Sequence, residues 1–264
     1  MNKKRKQIIL LIFLVVLFII INYSFLDKFL VSSFGEPFGS EIGIVKRVID
    51  GDTFVIGNES IRFLGINTPE RGEYLYAEAK KYLEDLVLNK SVKLEFGKEK
   101  YDLYNRKLAY IYLSEEKINL KLVKNGYANF YFPSGKDEHY KEFFDAWEKC
   151  INEKLNLCEK SKEECADCVV LKDLDVKEQK VVLENVCDFD CSLKNWSIKD
   201  EGRKKFVFSN FSLKSFKEVE IRVDSKANNE NILYWKEYDY VWTSSGDSLF
   251  LRDDEGKLVL WEGY

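Results

Sequence analysis

Read from residue 42 onward, the chain first alternates apolar and polar positions with a period of two. Residues 44–49, 53–56 and 60–64 are runs rich in β-branched side chains, punctuated by Asp50-Gly51 and Gly57-Asn58-Glu59, and they predict three short strands joined by tight turns. Residues 76–88 switch to helical periodicity. Two further strands follow at 91–96, where Val-Lys-Leu-Glu-Phe alternates strictly, and at 107–113. A short amphipathic helix is predicted over 118–125, stopped by Gly126, and a longer one over 137–157. The order β-β-β-α-β-β-α-α suits an α+β fold, a five-stranded barrel of the oligonucleotide-binding type with three helices.

The pattern then changes. Residues 158–168 are polar and rich in cysteine. From 169 to 264, short apolar strands alternate with turns at 180–184, 196–199, 205–208, 219–223, 240–242, 248–252 and 258–261. This spacing predicts an all-β sandwich of the immunoglobulin-like kind. At the other end, residues 8–21 are an uninterrupted apolar run, and 8–26 is long enough to cross about 30 Å of hydrocarbon as a helix. Four positive charges lie in the first seven residues, ahead of that run, which predicts an N-terminal transmembrane helix with the rest of the chain outside the cytoplasm. A cleaved signal peptide, and so a secreted protein, is the alternative. The reading divides the chain into an anchor (1–26), a linker (27–41), a barrel (42–157), a cysteine-rich connector (158–168) and a sandwich (169–264).

Composition changes this picture little. The 264 residues are 45% hydrophobic and 33% charged with only three prolines, a globular balance. The net charge of −4 makes the chain a poor general polyanion binder, so any contact with nucleic acid must be local. The single histidine, His139, excludes mechanisms that need two within one subunit and is read as a solvated residue near a helix start. All six cysteines fall between Cys150 and Cys191: Cys150, Cys158, Cys165, Cys168, Cys187 and Cys191. An even, clustered set outside a membrane favours disulfides that staple the last barrel helix to the sandwich. A structural zinc site using Cys165-x-x-Cys168 is the alternative.

The candidate chemistry lies in Val48-Ile-Asp-Gly-Asp-Thr-Phe-Val55, Arg62-Phe-Leu-Gly-Ile-Asn-Thr-Pro-Glu70 and Tyr104-Asn-Arg-Lys-Leu-Ala-Tyr-Ile-Tyr112. Acids, an amide and arginines around one hairpin are an inventory for holding a hard divalent cation together with a phosphodiester. Each has an ordinary reading alone: Asp52 as a turn residue, Arg62 as a strand-surface charge, Glu70 as a helix-start acid and Arg106 as a partner of Asp102.

These three segments, with Leu122-Val-Lys-Asn-Gly-Tyr-Ala128, resemble the staphylococcal-type (thermonuclease) nucleases from about residue 42 to 157. The resemblance implies a calcium-dependent hydrolase acting on DNA and RNA. By position it implies Asp52, Asn67 and the backbone carbonyl of Thr68 as metal ligands. Arg62 and Arg106 are implied as catalytic arginines that grip the phosphate, and Glu70 as the general base. Tyr104 is implied in the nucleotide pocket, with Tyr131 or Phe132 stacking on a base. Two positions depart from the pattern: Asn67 stands where the family usually has aspartate, and Asn105 where it often has glycine. Asparagine tolerates the left-handed backbone that such a turn needs. Residues 192–199, 206–208 and 246–259 resemble a lamin-tail-type immunoglobulin-like domain, which implies a binding module with a protein or envelope partner. The alternative function is a catalytically weak or inactive module that binds nucleic acid or protein in the cell envelope.

Overall fold

The computed structural model describes residues 39–264, together with Lys4, Arg5 and Ile12. The predicted transmembrane helix and nearly all of the predicted linker lie outside the described residues. Among the described residues no helix is long and apolar enough to cross a membrane. Residues Ile42–Tyr264 form one compact unit.

The first half of the larger unit is a barrel. Strands β1 (Ser40–Asp50), β2 (Thr53–Ile56) and β3 (Glu59–Phe63) form a meander, followed by the two-residue β4 (Ile66–Asn67) and helix α1 (Tyr76–Val87). Then come β5 (Ser91–Tyr101), β6 (Lys107–Leu113) and the short β7 (Glu116–Lys117). Helix α2 (Ile118–Lys124), β8 (Asn129–Phe130) and helix α3 (Tyr140–Glu153) complete this half. The sheet runs β3-β2-β1-β5-β6-β7, and a parallel pairing of β3 with β6 closes five strands into a ring. This is the predicted five-stranded barrel with three helices. Alternation places Val45, Phe54, Ile61, Phe63, Leu94, Phe96 and Ile111 inside. Helix α1 covers the barrel with Ala79, Leu83 and Val87, and α3 buries Phe143, Ala146, Trp147 and Cys150, both at helical spacing.

The long helix predicted to Leu157 stops at Glu153. Lys154 takes a left-handed backbone, φ +56°, so the chain reverses and continues as a 3-10 turn over Asn156–Cys158. His139 is where it was expected, just ahead of α3, but it is partly buried rather than fully solvated, with its side chain 18% exposed. Its ring packs edge-on to Tyr110 at 4.2 Å and its Nδ1 is 3.0 Å from Glu142.

The second half is all-β. Its strands are β9 (Val169–Asp175), β10 (Lys180–Asn185), β11 (Cys191–Ser192), β12 (Ser197–Lys199), β13 (Lys205–Val207), β14 (Ser212–Leu213), β15 (Glu218–Val223), β16 (Ile232–Trp235), β17 (Ser248–Arg252) and β18 (Leu258–Gly263). They make two four-stranded sheets, β16-β15-β10-β9 and β13-β12-β17-β18, with β11 and β14 paired separately. Trp196, Ile198, Phe208, Ile221, Trp235 and Leu251, drawn from both sheets, share one core. The strand predicted at 240–242 is irregular, because the backbone N–H groups of Val241 and Trp242 both donate to Gln179 Oε1 rather than to a neighbouring strand.

Two expectations about how the halves connect need correction. The cysteines pair as Cys150–Cys158, Cys165–Cys191 and Cys168–Cys187, leaving no thiol for zinc. None of these bridges runs from α3 to the sandwich. The reversal at Lys154 folds Cys158 back onto Cys150 of the same helix end, while the connector cysteines bind the C-terminal sheets. The halves are joined by packing instead. Phe250 and Leu258 are buried in the barrel's own core cluster, Trp261 packs against it, and Phe250 meets Trp147 edge-on at 5.5 Å. Arg252 Nη1 donates to the carbonyl of Leu157. The C-terminal half, which keeps a core of its own, therefore also contributes Phe250 and Leu258 to the core of the barrel half.

Candidate active site

The cluster begins at the β1–β2 turn. Asp50 pairs with Thr53 across a two-residue turn of Gly51 and Asp52, which sets Asp52 at the tip of the β1–β2 hairpin. Gly51 is required there: a Cβ would stand 2.9 Å from the Thr68 side chain. Asp52 Oδ1 accepts the Thr53 hydroxyl at 3.0 Å, and Oδ2 accepts both the N–H and the hydroxyl of Thr68, at 3.0 and 2.8 Å. Arg62, on β3, brings Nη2 to 3.2 Å from Asp52 Oδ2 and to 3.2 Å from Asn67 Oδ1, while Nη1 donates to the Phe63 carbonyl. The side chains of Asp52, Thr53, Arg62, Asn67 and Thr68 are all buried. Burial works against the Asp52 charge, but the Arg62 guanidinium and the bonds from Thr68 and Thr53 outweigh it and hold the carboxyl below its ordinary range. Neighbouring Asp50, by burial and then by the charge of Asp52, is pushed up to about 6.

Glu70 lies at the rim. It follows Pro69, is about half exposed, and its Oε1 accepts Arg203 Nε at 2.7 Å. Arg106 and Tyr104 occupy a different loop. Arg106 Nε pairs with Asp102 Oδ2 at 2.7 Å, and Asp102 Oδ1 accepts the N–H groups of Tyr104 and Arg106. Asn105 adopts φ +59°, the left-handed turn expected of it. Tyr104 is 77% exposed beneath the Arg106 guanidinium. The parallel register of Ile61 opposite Lys107 and Arg62 opposite Leu108 brings Arg106 alongside the strand that carries Arg62. Tyr131 is half-buried against Gly202, and burial, followed by the charge of Asp200, pushes its phenol up. Phe132 packs edge-on to Tyr140 and Phe143 and belongs to the core side.

Residues 60–160 match the family described as Staphylococcal nuclease homologue. The thermonuclease of Staphylococcus intermedius is 34% identical over 127 residues, covering 44% of this chain and 76% of that protein. The chain belongs to the staphylococcal nuclease homologue family. The thermonuclease of Staphylococcus hyicus is 36% identical over 104 residues, covering 35% of this chain and 62% of that protein. An uncharacterized endonuclease of Haemophilus influenzae is 38% identical over 101 residues, covering 36% and 56% respectively. Thermonucleases and endonucleases are phosphodiesterases.

Within this nuclease-family barrel the residues expected to bind metal gather as a group. Two hard oxygens, Asp52 Oδ2 and Asn67 Oδ1, converge at equal distances on one cationic nitrogen of Arg62. A guanidinium thus stands where a cation suits the donors, and the oxygen-only set fits a hard ion of the calcium kind. Among the described residues there is no group of three or more His, Cys, Asp or Glu side chains that could hold a metal ion, so amide, carbonyl and water oxygens must complete such a shell.

The reading of the sequence missed several participants. Asp50 lay within the motif itself, as the first of its two acids. Asn67 Nδ2 donates to the Gly202 carbonyl at 2.7 Å, and Asn129 Nδ2 to the Glu201 carbonyl at 2.9 Å. These partners are separated by 135 and 72 positions, and no local pattern announces them. Behind them lie three buried carboxyls. Burial and the nearby Asp247 push Asp200 up to about 7 and Glu201 to about 8, and burial also raises Asp247.

Proposed function

We propose that the protein is an extracytoplasmic, membrane-anchored nuclease that hydrolyses phosphodiester bonds of DNA and RNA with the help of calcium. The observation that carries this reading is the buried group of Asp52, Arg62, Asn67 and Thr68 at the mouth of a barrel of a phosphodiesterase family. Asp52, the Asn67 amide oxygen and the Thr68 carbonyl are the atoms that would hold calcium, which when bound neutralises charge on a phosphate oxygen. Arg62 grips the phosphate once Nη2 exchanges Asp52 and Asn67 for phosphate oxygens. Its planar fork makes bidentate bonds that strengthen as charge builds on the pentacoordinate transition state. Arg106, released from Asp102, adds the second grip. Glu70, exposed at the rim, takes a proton from the attacking water. Tyr104, with its exposed ring, stacks against a base, and Tyr131 lines the nucleotide side.

The apolar run of residues 8–21 behind a basic start supports the anchor, and three disulfides suit an oxidising compartment outside the cytoplasm. The C-terminal half is read as a lamin-tail-type module with an envelope partner. Its support is the pair of four-stranded sheets sharing one core.

The test uses the full chain, stripped of metal and then given calcium, on end-labelled single-stranded DNA and RNA. Both should be degraded, chelator should abolish this, and Glu70→Gln should cut kcat by about 100-fold or more while melting unchanged. Folded protein that leaves single-stranded DNA intact in calcium refutes the catalytic reading and leaves the binding module.

A further inference from the structure

The β12–β13 hairpin carries its turn, residues 200–204, across the mouth of the candidate active site. Three cations of this hairpin meet two acids of one short barrel segment. Arg203 Nε is 2.7 Å from Glu70 Oε1, Lys199 Nζ is 3.0 Å from Glu73 Oε2, and Lys205 Nζ is 3.3 Å from Glu73 Oε1. Glu73 Oε2 in turn accepts the backbone N–H of Glu70 at 2.9 Å. Glu70 is thus held at its carboxylate by Arg203 and at its backbone by an acid that the same hairpin secures. Although burial opposes it, the Lys199 ammonium, the Glu70 N–H and Lys205 draw the Glu73 carboxyl down to about 2, so this anchor keeps its charge at neutral pH.

The turn has its own attachment. Asn67 and Asn129 face each other across the β4–β8 pair, and their amides donate to successive carbonyls, Gly202 and Glu201. Gly202 lies so near Tyr131 that a Cβ would meet the ring at 3.2 Å. None of 199–205 falls in the residues that match the nuclease family.

We propose that Arg203 is a positioning residue for Glu70 and that the 200–204 turn is a wall of the nuclease site, so that the C-terminal half takes part in hydrolysis. This rests on the reading of Glu70 as general base. An ion pair in which both side chains are half exposed contributes about 0–1 kcal/mol to stability, too little to explain the contact as a structural brace. A general base, in contrast, must sit within hydrogen-bond reach of its water, and a misplacement of about 1 Å costs about 100-fold in rate. Arg203 supplies that placement from a hairpin already pinned by two buried amide–carbonyl bonds.

The test is a double-mutant cycle on the full chain, with end-labelled single-stranded DNA and calcium, reading kcat and KM for wild type, Arg203→Ala, Glu70→Gln and the pair. Arg203→Ala should lower kcat about 10-fold to 100-fold with little change in KM or melting temperature. Arg203→Lys should recover part of the loss. In the Glu70→Gln background the same change should move kcat by less than about twofold, because its only route is through Glu70. Without metal, Arg203→Ala should speed amide exchange across residues 70–75. An equal loss of kcat in both backgrounds, no loss, unchanged exchange, or a rise in kcat overturns the proposal; a rise would mean that the turn blocks the site. If Glu70→Gln itself leaves kcat unaltered, the general-base reading fails and the positioning role falls with it.

Discussion

Replacing Asn67 by aspartate probes how the buried cluster balances its charges. Asn67 is 1% exposed and has a different partner at each end of its amide: Nδ2 donates to the Gly202 carbonyl at 2.7 Å, and Oδ1 accepts Arg62 Nη2 at 3.2 Å. A carboxylate keeps the second bond but sets an oxygen against the Gly202 oxygen, leaving a buried acceptor without a donor. That costs about 1–3 kcal/mol. The new charge gains about 4 kcal/mol from Arg62 at about 4 Å and an effective dielectric of about 20. Asp52 shares the same nitrogen, so repulsion between the two carboxylates returns most of that gain. Adding the desolvation of one more buried charge, Asn67→Asp in chelator should lose about 2–4 kcal/mol, or about 5–10 °C in melting temperature for a unit of this size. Calcium should narrow the gap. A second carboxylate tightens the site, and ligand at 100 times Kd adds about 2.7 kcal/mol. Thermal melting by circular dichroism, with chelator and through a calcium titration, measures both. A variant that melts with wild type in chelator, or gains no more from calcium than wild type does, refutes this account of the cluster.

The buried carboxyls behind the turn make stability depend on pH. Asp200 and Glu201, with folded values of about 7 and about 8, hold protons that the unfolded chain has already released above pH 5. The folded state binds more protons, so stability falls as pH rises, most steeply between about 5 and 7, and levels off above about 8. Glu201→Gln should flatten that decline, and a melting temperature that is level or rising across this range counts against it. Phe250→Ala should cost about 3–5 kcal/mol and lower one common transition seen by far-ultraviolet circular dichroism and tryptophan fluorescence alike, since Phe250 fills the barrel core from the C-terminal half. Two separate transitions in the variant would contradict a shared core. Cys165 and Cys191 close a loop of 26 residues and Cys168 and Cys187 one of 19, so replacing either pair by serine should cost about 3 kcal/mol by chemical denaturation. Unchanged midpoints would show that the packing alone holds these sheets.

Much of the barrel was legible in the chain. Strand alternation and helical spacing are local properties, so β2, β6 and α1 began where the apolar pattern put them, β3 differed by a residue at each end, and α2 by a residue at its C-terminal end. The motif with Asp52, Arg62, Asn67 and Thr68 was legible for the same reason: one hairpin and the turn after it carry all four. Where locality ended, so did the reading. The β4–β8 pair is two residues long and too short to alternate. Strand β16 pairs in parallel with β15, an arrangement decided by its neighbours rather than by its own composition. Arg106, expected at the phosphate, rests on Asp102 four residues away, because a local carboxylate competes for a guanidinium before any substrate arrives. The cysteines announced disulfides but not their pairing, and the Cys150–Cys158 bridge depended on the reversal at Lys154. Most of all, the contacts that close the site, Gly202 on Asn67 and Arg203 on Glu70, join positions more than 130 residues apart. A sequence records which groups a chain carries and how neighbouring ones alternate. Which distant carbonyl meets a buried amide is decided only when two hydrophobic cores pack against each other and bring the surrounding loops together.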